Sequence, residues 1–323
     1  MKAVVIGATG HVGNAVVRAL LERGIEVTAT SRRREPAFNL AGLPVHFAPG
    51  DSALPGQFDA WIAGQDIVVD AAAPYPLSVL QSDPYFVLDA VQRTRNLLEA
   101  VFKHGARLAS IGSYVTVASP QKGLDALRYE VMRFAHPYFA VKEAIEAETI
   151  NAAHSGIKAV MLNPSMCIGP WDLRQREFCL VPRLLMGEVP AMTDQILNLI
   201  DVRDVADAVI AALEIEKYGD PIPLSGHNIS VEMLFSWICE IGEVRPPRTY
   251  IPASLAVAGS YCAELALGLL GQSTPLPSVF LMLASAFDCP APDRRQLELG
   301  LAQRPLYETL LDAIEWYRLI GYC

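Results

Sequence analysis

A doubly wound parallel α/β sheet with a smaller, mostly helical C-terminal domain is the fold class the sequence predicts, and three observations predict it. Short β-branched runs alternate with longer helical patterns through the first half of the chain, the signature of β-α-β units whose sheet is covered on both faces. A glycine-rich turn, Gly7-Ala8-Thr9-Gly10-His11-Val12-Gly13, joins the first such run to the first helix. After Leu162 the alternation breaks at Asn163-Pro164 and Gly169-Pro170, where the chain leaves the sheet.

The strand runs are Ala3 to Ile6, Glu26 to Thr30, Val45 to Phe47, Ile67 to Asp70, Leu108 to Ile111 and Ala159 to Leu162. Between them, apolar residues return at three- and four-residue steps over Val12 to Arg23, Tyr85 to His104 and Tyr138 to Ala153, which predicts helices. Crossovers of this length make right-handed parallel connections. Later helices are predicted over Val202 to Glu214, Val231 to Ile241, Leu255 to Leu270, Val279 to Phe287 and Leu306 to Ile320. Residues 1–165 plus about 197–228 then form the sheet domain, and about 166–196 plus 229–323 the smaller one.

With 323 residues the chain exceeds the size at which a single core stops growing, about 250–300 residues, so two unequal cores are expected. A composition 52% hydrophobic and 19% charged is that of a compact protein and excludes disorder. The net charge of −9, from 26 basic and 35 acidic residues spread along the chain, works against binding nucleic acid. Six cysteines and six histidines are dispersed without metal-ligand spacing, and a reducing cytoplasm is the expected location. Met1 to Gly7 runs straight into a strand and a glycine turn, which leaves no room for a cleaved leader. Leu255 to Gly271 and Val279 to Phe287 are greasy, but Glu264 interrupts the first and Pro275 and Pro277 separate them. Neither offers a clean span of about 20 residues, so peripheral contact with a membrane is the most they predict.

Glycines placed between a strand and a helix let backbone N–H groups and the positive helix end meet a pyrophosphate, so Gly7, Thr9, Gly10, His11, Val12 and Gly13 are candidate cofactor contacts. His11 reads as the start of the helix rather than as a catalyst. The second strand ends at Thr30-Ser31-Arg32-Arg33-Arg34 with no acid before Glu35. An acid there would meet ribose hydroxyls, whereas Arg32 and Arg33 suit a 2′-phosphate, which favours NADP over NAD. Asp51 is placed to accept from the adenine amine, and Ala72 and Ala73 let the cofactor lie close over the sheet edge. The sheet domain is thereby a dinucleotide-binding domain and the smaller one a substrate domain.

Tyr138 and Lys142 lie one helical turn apart in His136-Pro137-Tyr138-Phe139-Ala140-Val141-Lys142, so both point into one cleft. A phenol with a pKa of about 10 serves as an acid or base near neutrality when a positive neighbour favours its phenolate, and Lys142 supplies that charge while also reaching the ribose hydroxyls of the cofactor. Ser113, at the carboxyl edge of the fifth strand, is the hydroxyl expected to hold a reacting carbonyl oxygen; Ser110 is the competing choice, turned by period-two alternation toward the sheet packing. A G-x-S-x-G elbow is absent from the sequence.

Together with Thr94 to Ala100, Asn163-Pro164-Ser165, Gly169-Pro170-Trp171-Asp172, Asn198 to Ala208 and Leu224-Ser225-Gly226, these residues resemble the extended short-chain dehydrogenase/reductase superfamily, over nearly the whole chain. The chain is most similar to its dihydroflavonol-4-reductase, 3β-hydroxysteroid dehydrogenase and hopanoid-associated epimerase-like branch. That resemblance implies a Rossmann domain, a catalytic set of Ser113, Tyr138 and Lys142, a nicotinamide held near Pro164 to Met166, and a homodimer. Gly112-Ser113 stands where the family has a serine pair, and Tyr114 is bulkier than the small residue that often follows. The expected activity is NADPH-dependent reduction of a ketone or enone on a small, largely apolar substrate, or the reverse alcohol oxidation. The alternatives are a nucleotide-sugar epimerase or dehydratase, for which Arg174, Arg176 and Arg183 are the basic residues at hand to meet a diphosphate, and a non-catalytic NADP-sensing regulator.

Overall fold

The computed structural model describes residues 1–76, 84–116, 127, 130, 131, 133–272, 277–285 and 291–323. Seven parallel strands form the central sheet. They are β1 (Lys2–Ile6), β2 (Glu26–Ser31), β3 (His46–Pro49), β4 (Ile67–Asp70), β5 (Arg107–Ile111), β6 (Ala159–Pro164) and β10 (Ile222–Leu224), in the spatial order β10-β6-β5-β4-β1-β2-β3. The order reverses at β1, between β1 and β4, the switch point outside whose carboxyl ends doubly wound sheets bind their ligands.

Period-two alternation divides each central strand between the two faces. Ala3 and Val5 pack under α1 (His11–Glu22) and α6 (Val202–Glu214). Val4 and Ile6 pack under α2 (Gln57–Ile62) and α3 (Pro84–His104), and Met161 meets Val141 and Ile145 of α4 (Pro137–His154). Burial of both faces is why these strands read as continuous apolar runs.

The later half contains more strand than its sequence predicts. A second sheet joins β7 (Met166–Ile168), β9 (Ile196–Asp201) and β11 (His227–Ser230) in the order β11-β9-β7, and β8 (Ala191–Met192) pairs with β12 (Thr249–Tyr250). Strands of two to six residues with prolines and glycines nearby carry too little alternation to stand out from loops. Around this sheet, α5 (Leu180–Leu185), α7 (Val231–Gly242) and α11 (Leu306–Leu319) build a second core on Leu184, Leu234, Ile238, Leu310 and Ile314.

Two greasy helices, α8 (Ala253–Leu269) and α9 (Ser278–Ser285), pack on each other; the latter was expected to reach Phe287, which lies outside the described residues. Glu264, the acid that interrupts α8, is buried, and its carboxylate accepts from the N–H of Ser278 at 3.0 Å and its hydroxyl at 2.6 Å. It therefore caps the start of α9 rather than facing solvent. Among the described residues no helix is long and apolar enough to cross a membrane. A short helix, α10 (Arg294–Leu297), is too brief to show helical periodicity in the sequence.

Candidate active site

Gly7 follows β1 at φ 83°, and a Cβ there would lie 2.9 Å from both the Ala71 carbonyl oxygen and the Ala72 Cβ. This close approach explains the small side chains at the end of β4. A Cβ on Gly13 would lie 2.2 Å from the Gly7 carbonyl oxygen, so the turn and α1 can touch only through glycine. Gly13→Ala should cost about 1–3 kcal/mol, typical of overpacking, and weaken cofactor binding by displacing the turn. Thermal unfolding followed by circular dichroism, with a fluorescence titration of NADPH, checks both effects.

At the start of α1 the N-cap Gly10 offers no side-chain cap and no acid stands in the first turn, so the positive helix end is open to an anion. His11 begins the helix, buried, with Nδ1 4.0 Å from an Asp172 carboxylate oxygen. Burial lowers its pKa and favours the neutral ring, and its buried Nε2 has no protein hydrogen-bond partner among the described residues. Val12 is half-buried and packs against the sheet core, while Thr9 Oγ1 lies 3.3 Å from Ser31 Oγ. A glycine cradle, an uncapped helix start and an orphaned ring nitrogen together fit a dinucleotide pyrophosphate.

Arg32, Arg33 and Arg34 are exposed at the carboxyl end of β2, where the Arg33 N–H donates to Ser31 Oγ at 3.2 Å. Asp51 follows β3 and accepts from the N–H of Ala53 at 3.0 Å, so it shapes its own turn at the sheet edge. Ala72 and Ala73 are half-buried beyond β4, and the Ala72 N–H donates to Asp70 at 3.2 Å. Pro164, buried, closes β6, and Met166 opens β7 against the second core.

Pro137 at the first turn of α4 and His136 before it fix where that helix begins, because His136 Nδ1 accepts from the Tyr138 N–H at 3.2 Å. Tyr138 is thus held at the helix start, buried, and its hydroxyl donates to Ser113 Oγ at 2.8 Å. Ser110, the competing serine, lies within β5 in register with Asp70 and is buried in the sheet. A Cβ on Gly112 would fall 2.0 Å from Asn163 Oδ1, which explains why glycine precedes Ser113. The side-chain space at that position is filled by the Asn163 amide.

Lys142 is buried one turn along α4, with Nζ 5.9 Å from the ring centroids of both Tyr138 and Tyr75. Burial pushes its pKa down to about 8, opposed by Asp70 and reinforced by Arg93. The sequence suggested that Lys142 would draw the phenol pKa down, but in this structure burial dominates. It holds the Tyr138 phenol well above its ordinary value, Tyr75 adds to the rise, and the Ser113 hydrogen bond offsets only part of it. The phenol is a protonated donor at neutral pH.

Three features of the site carry no local sequence signal. Tyr75, half-exposed beyond β4, meets Tyr138 edge-on with centroids 5.0 Å apart. Asp70 and Arg93 form a buried two-pronged ion pair with both contacts at 2.8 Å, and Arg93 Nε also donates to Ser52 Oγ at 3.1 Å. Burial alone would raise the Asp70 pKa, but the Arg93 guanidinium outweighs it and holds the carboxylate below its usual range. Over Tyr138 lies an apolar cover of Val115, Phe139, Val279 and Met282, flanked by Val257 and Tyr261.

The basic residues after Asp172 are turned to acids of this chain. Arg174 grips the buried Asp172 carboxylate, which also accepts from the Tyr317 hydroxyl at 3.0 Å; Arg176 pairs with Glu188 at 2.6 Å and Arg183 approaches the same acid at 3.8 Å. The indole of Trp316 donates to the Asp172 carbonyl at 3.0 Å, so Asp172 also ties α11 beneath His11 and the glycine turn.

Residues 3–222 match the NAD dependent epimerase/dehydratase family. A Synechocystis sp. protein named "Putative dihydroflavonol 4-reductase" is 29% identical over 98% of this chain and 95% of its own. The crystal structure of gox2253 superposes with a TM-score of 0.79 at 26% identity, covering 100% of this chain and 99% of that one. That of a nucleoside-diphosphate-sugar epimerase from Pseudomonas aeruginosa does so at 0.75 with 23% identity, again over 100% and 99%, a likeness of fold. Laid over the glycine turn and the convergence of Ser113, Tyr138 and Lys142, these matches make the chain a member of the NAD dependent epimerase/dehydratase family and an NAD(P)-dependent oxidoreductase of the extended short-chain dehydrogenase/reductase type.

Proposed function

We propose that the protein is an NADPH-dependent reductase of a ketone or enone on a small, largely apolar substrate, working in reverse as an alcohol dehydrogenase. The observation that carries this reading is the buried Tyr138 hydroxyl bonded to Ser113 Oγ beneath an apolar cover. When bound, the nicotinamide cofactor supplies the hydride that adds to the carbonyl carbon. Tyr138 gives its proton to the carbonyl oxygen, so that C=O becomes CH–OH and the phenol becomes a phenolate. Ser113 holds that oxygen, and the Lys142 ammonium, on the same helix face, stabilises the negative charge left on Tyr138. Arg32 and Arg33, at a strand end without an acid, support NADPH over NADH through a 2′-phosphate.

An epimerase or dehydratase acting on a nucleotide sugar must also bind a diphosphate. Arg174, Arg176 and Arg183 each face an acid of the chain itself, which supports a substrate of lower charge. NADPH oxidation measured against a panel of ketones and enones tests the proposal, with apolar carbonyls expected to be turned over and nucleotide sugars left unchanged.

Lys142 adds a pH dependence whose sign is fixed by its lowered pKa. Below about 8 the ammonium is intact; as pH rises through that value the charge is lost, so reductive kcat/KM should fall. The same group contributes oppositely to stability. An unfolded lysine releases its proton near pH 10.4, so between about 8 and about 10.4 the unfolded chain binds more protons and Lys142 increasingly favours the folded state. Lys142→Met should remove both trends, read from pH-rate profiles and from urea unfolding across the same range.

A further inference from the structure

Glu146 lies on α4 one turn beyond Lys142 and two beyond Tyr138, on the same helix face, but behind the reacting groups. Its half-buried carboxyl meets the Thr116 hydroxyl and the Asn163 Nδ2 through the same oxygen. Thr116 in turn reaches back to the Ser113 carbonyl, with Oγ1 at 3.0 Å and the backbone N–H at 3.2 Å, and Asn163 Nδ2 also donates to Thr116 Oγ1 at 3.1 Å. The turn that carries Ser113 is therefore bonded to the middle of α4 and to the end of β6.

Counting protons sharpens the arrangement. A threonine hydroxyl has one proton, yet Thr116 Oγ1 faces two acceptors, the Ser113 carbonyl and Glu146. Both contacts are hydrogen bonds only if Glu146 is the neutral acid, donating to Thr116 while Thr116 donates to Ser113. Burial raises the Glu146 pKa in the required direction; the Thr116 and Asn163 contacts and Arg295 oppose this, and Glu143 adds to it.

We infer that Glu146 is a positioning residue, a neutral carboxyl that closes a hydrogen-bonded chain through Thr116 to the Ser113 carbonyl and so holds Ser113 Oγ in line with the Tyr138 hydroxyl. It touches neither substrate nor cofactor; it acts through Ser113. The kinetic part of its test rests on the reductase reading, whereas the structural part does not.

Two variants test it. Glu146→Gln, with its amide nitrogen in place of the shared oxygen, keeps the donor for Thr116 and gives up only the acceptor for Asn163, so kcat should stay within about threefold of wild type. Glu146→Ala removes both and should lower kcat by about 10- to 100-fold, the range for a misplaced catalytic group, while the Kd for NADPH is unchanged. Hydrogen exchange on the cofactor-free proteins should show faster exchange of amides 113–116 in Glu146→Ala and wild-type exchange in Glu146→Gln. Equal impairment of the two variants, or wild-type exchange and kcat in Glu146→Ala, would overturn the inference. If wild type reduces no carbonyl, the reductase reading fails by itself and the exchange comparison still decides the role of Glu146.

Discussion

Tyr138→Phe should lower kcat by about 10²- to 10⁴-fold, the usual contribution of a positioned general acid, while changing the Kd for NADPH by less than about threefold. The substitution removes one oxygen and leaves the ring, which is buried between Tyr75 and Phe139 at centroid distances of 5.0 and 5.9 Å. Its packing is preserved, so loss of activity cannot be charged to misfolding. The hydroxyl is also the donor to Ser113, and Ser113→Ala should give a smaller loss because the proton donor survives. Initial rates with a reactive ketone and a fluorescence titration of NADPH separate the two quantities. Tyr75→Phe should leave turnover within a few-fold of wild type, since its contacts to the Tyr138 ring and to Lys142 Nζ are made by the ring that the substitution keeps.

Asp70→Ala should cost about 3–5 kcal/mol of folding stability, the second of the large effects, because it leaves the Arg93 guanidinium buried without its counter-charge. Both side chains are buried and joined by two bonds of 2.8 Å, so neither can turn to water when the other is removed. Replacing both, as in Asp70→Leu with Arg93→Leu, should recover most of the loss, since the penalty belongs to the stranded charge rather than to missing attraction. Chemical denaturation of Asp70→Leu, Arg93→Leu and the double variant closes this cycle. Asp70 also raises the pKa of Lys142, so a folded Asp70→Asn variant should lose reductive activity at a lower pH than wild type.

The central sheet was legible because its strands are buried on both faces and therefore appear as unbroken β-branched runs, as at Ala3 to Ile6 and Ile67 to Asp70. Tyr138 and Lys142 were legible as a pair for a different reason: four residues on one helix is a local spacing, and the Pro137 start fixes its phase. What remained hidden depends on distant partners. Arg93 looks like any polar helix residue until β4 brings Asp70, 23 residues away, against it. Glu146 reads as a solvated helix charge until Thr116, 30 residues earlier, is folded beneath it, and Asp172 as a loop acid until Tyr317 arrives from 145 residues on. Gly112 looked like a departure from a serine pair; the structure supplies the cause in Asn163, a residue of the next strand. The dominance of burial over the Lys142 charge in setting the Tyr138 proton affinity is also a three-dimensional fact, since it depends on helices α8 and α9 closing over the ring.

The account turns on Tyr138 giving its proton to a carbonyl that has taken a hydride, and one measurement tests this most directly. The enzyme with one equivalent of NADPH is mixed with an apolar ketone; the near-ultraviolet absorbance of the reduced cofactor and the alcohol formed are then followed together, in wild type and in Tyr138→Phe. The account predicts one alcohol per NADPH consumed in wild type and almost none in the variant over the same time, with NADPH bound in both. Wild-type turnover in Tyr138→Phe would contradict it, as would a wild-type enzyme that consumes NADPH with no carbonyl of the panel yet interconverts a nucleotide sugar without net change in its cofactor.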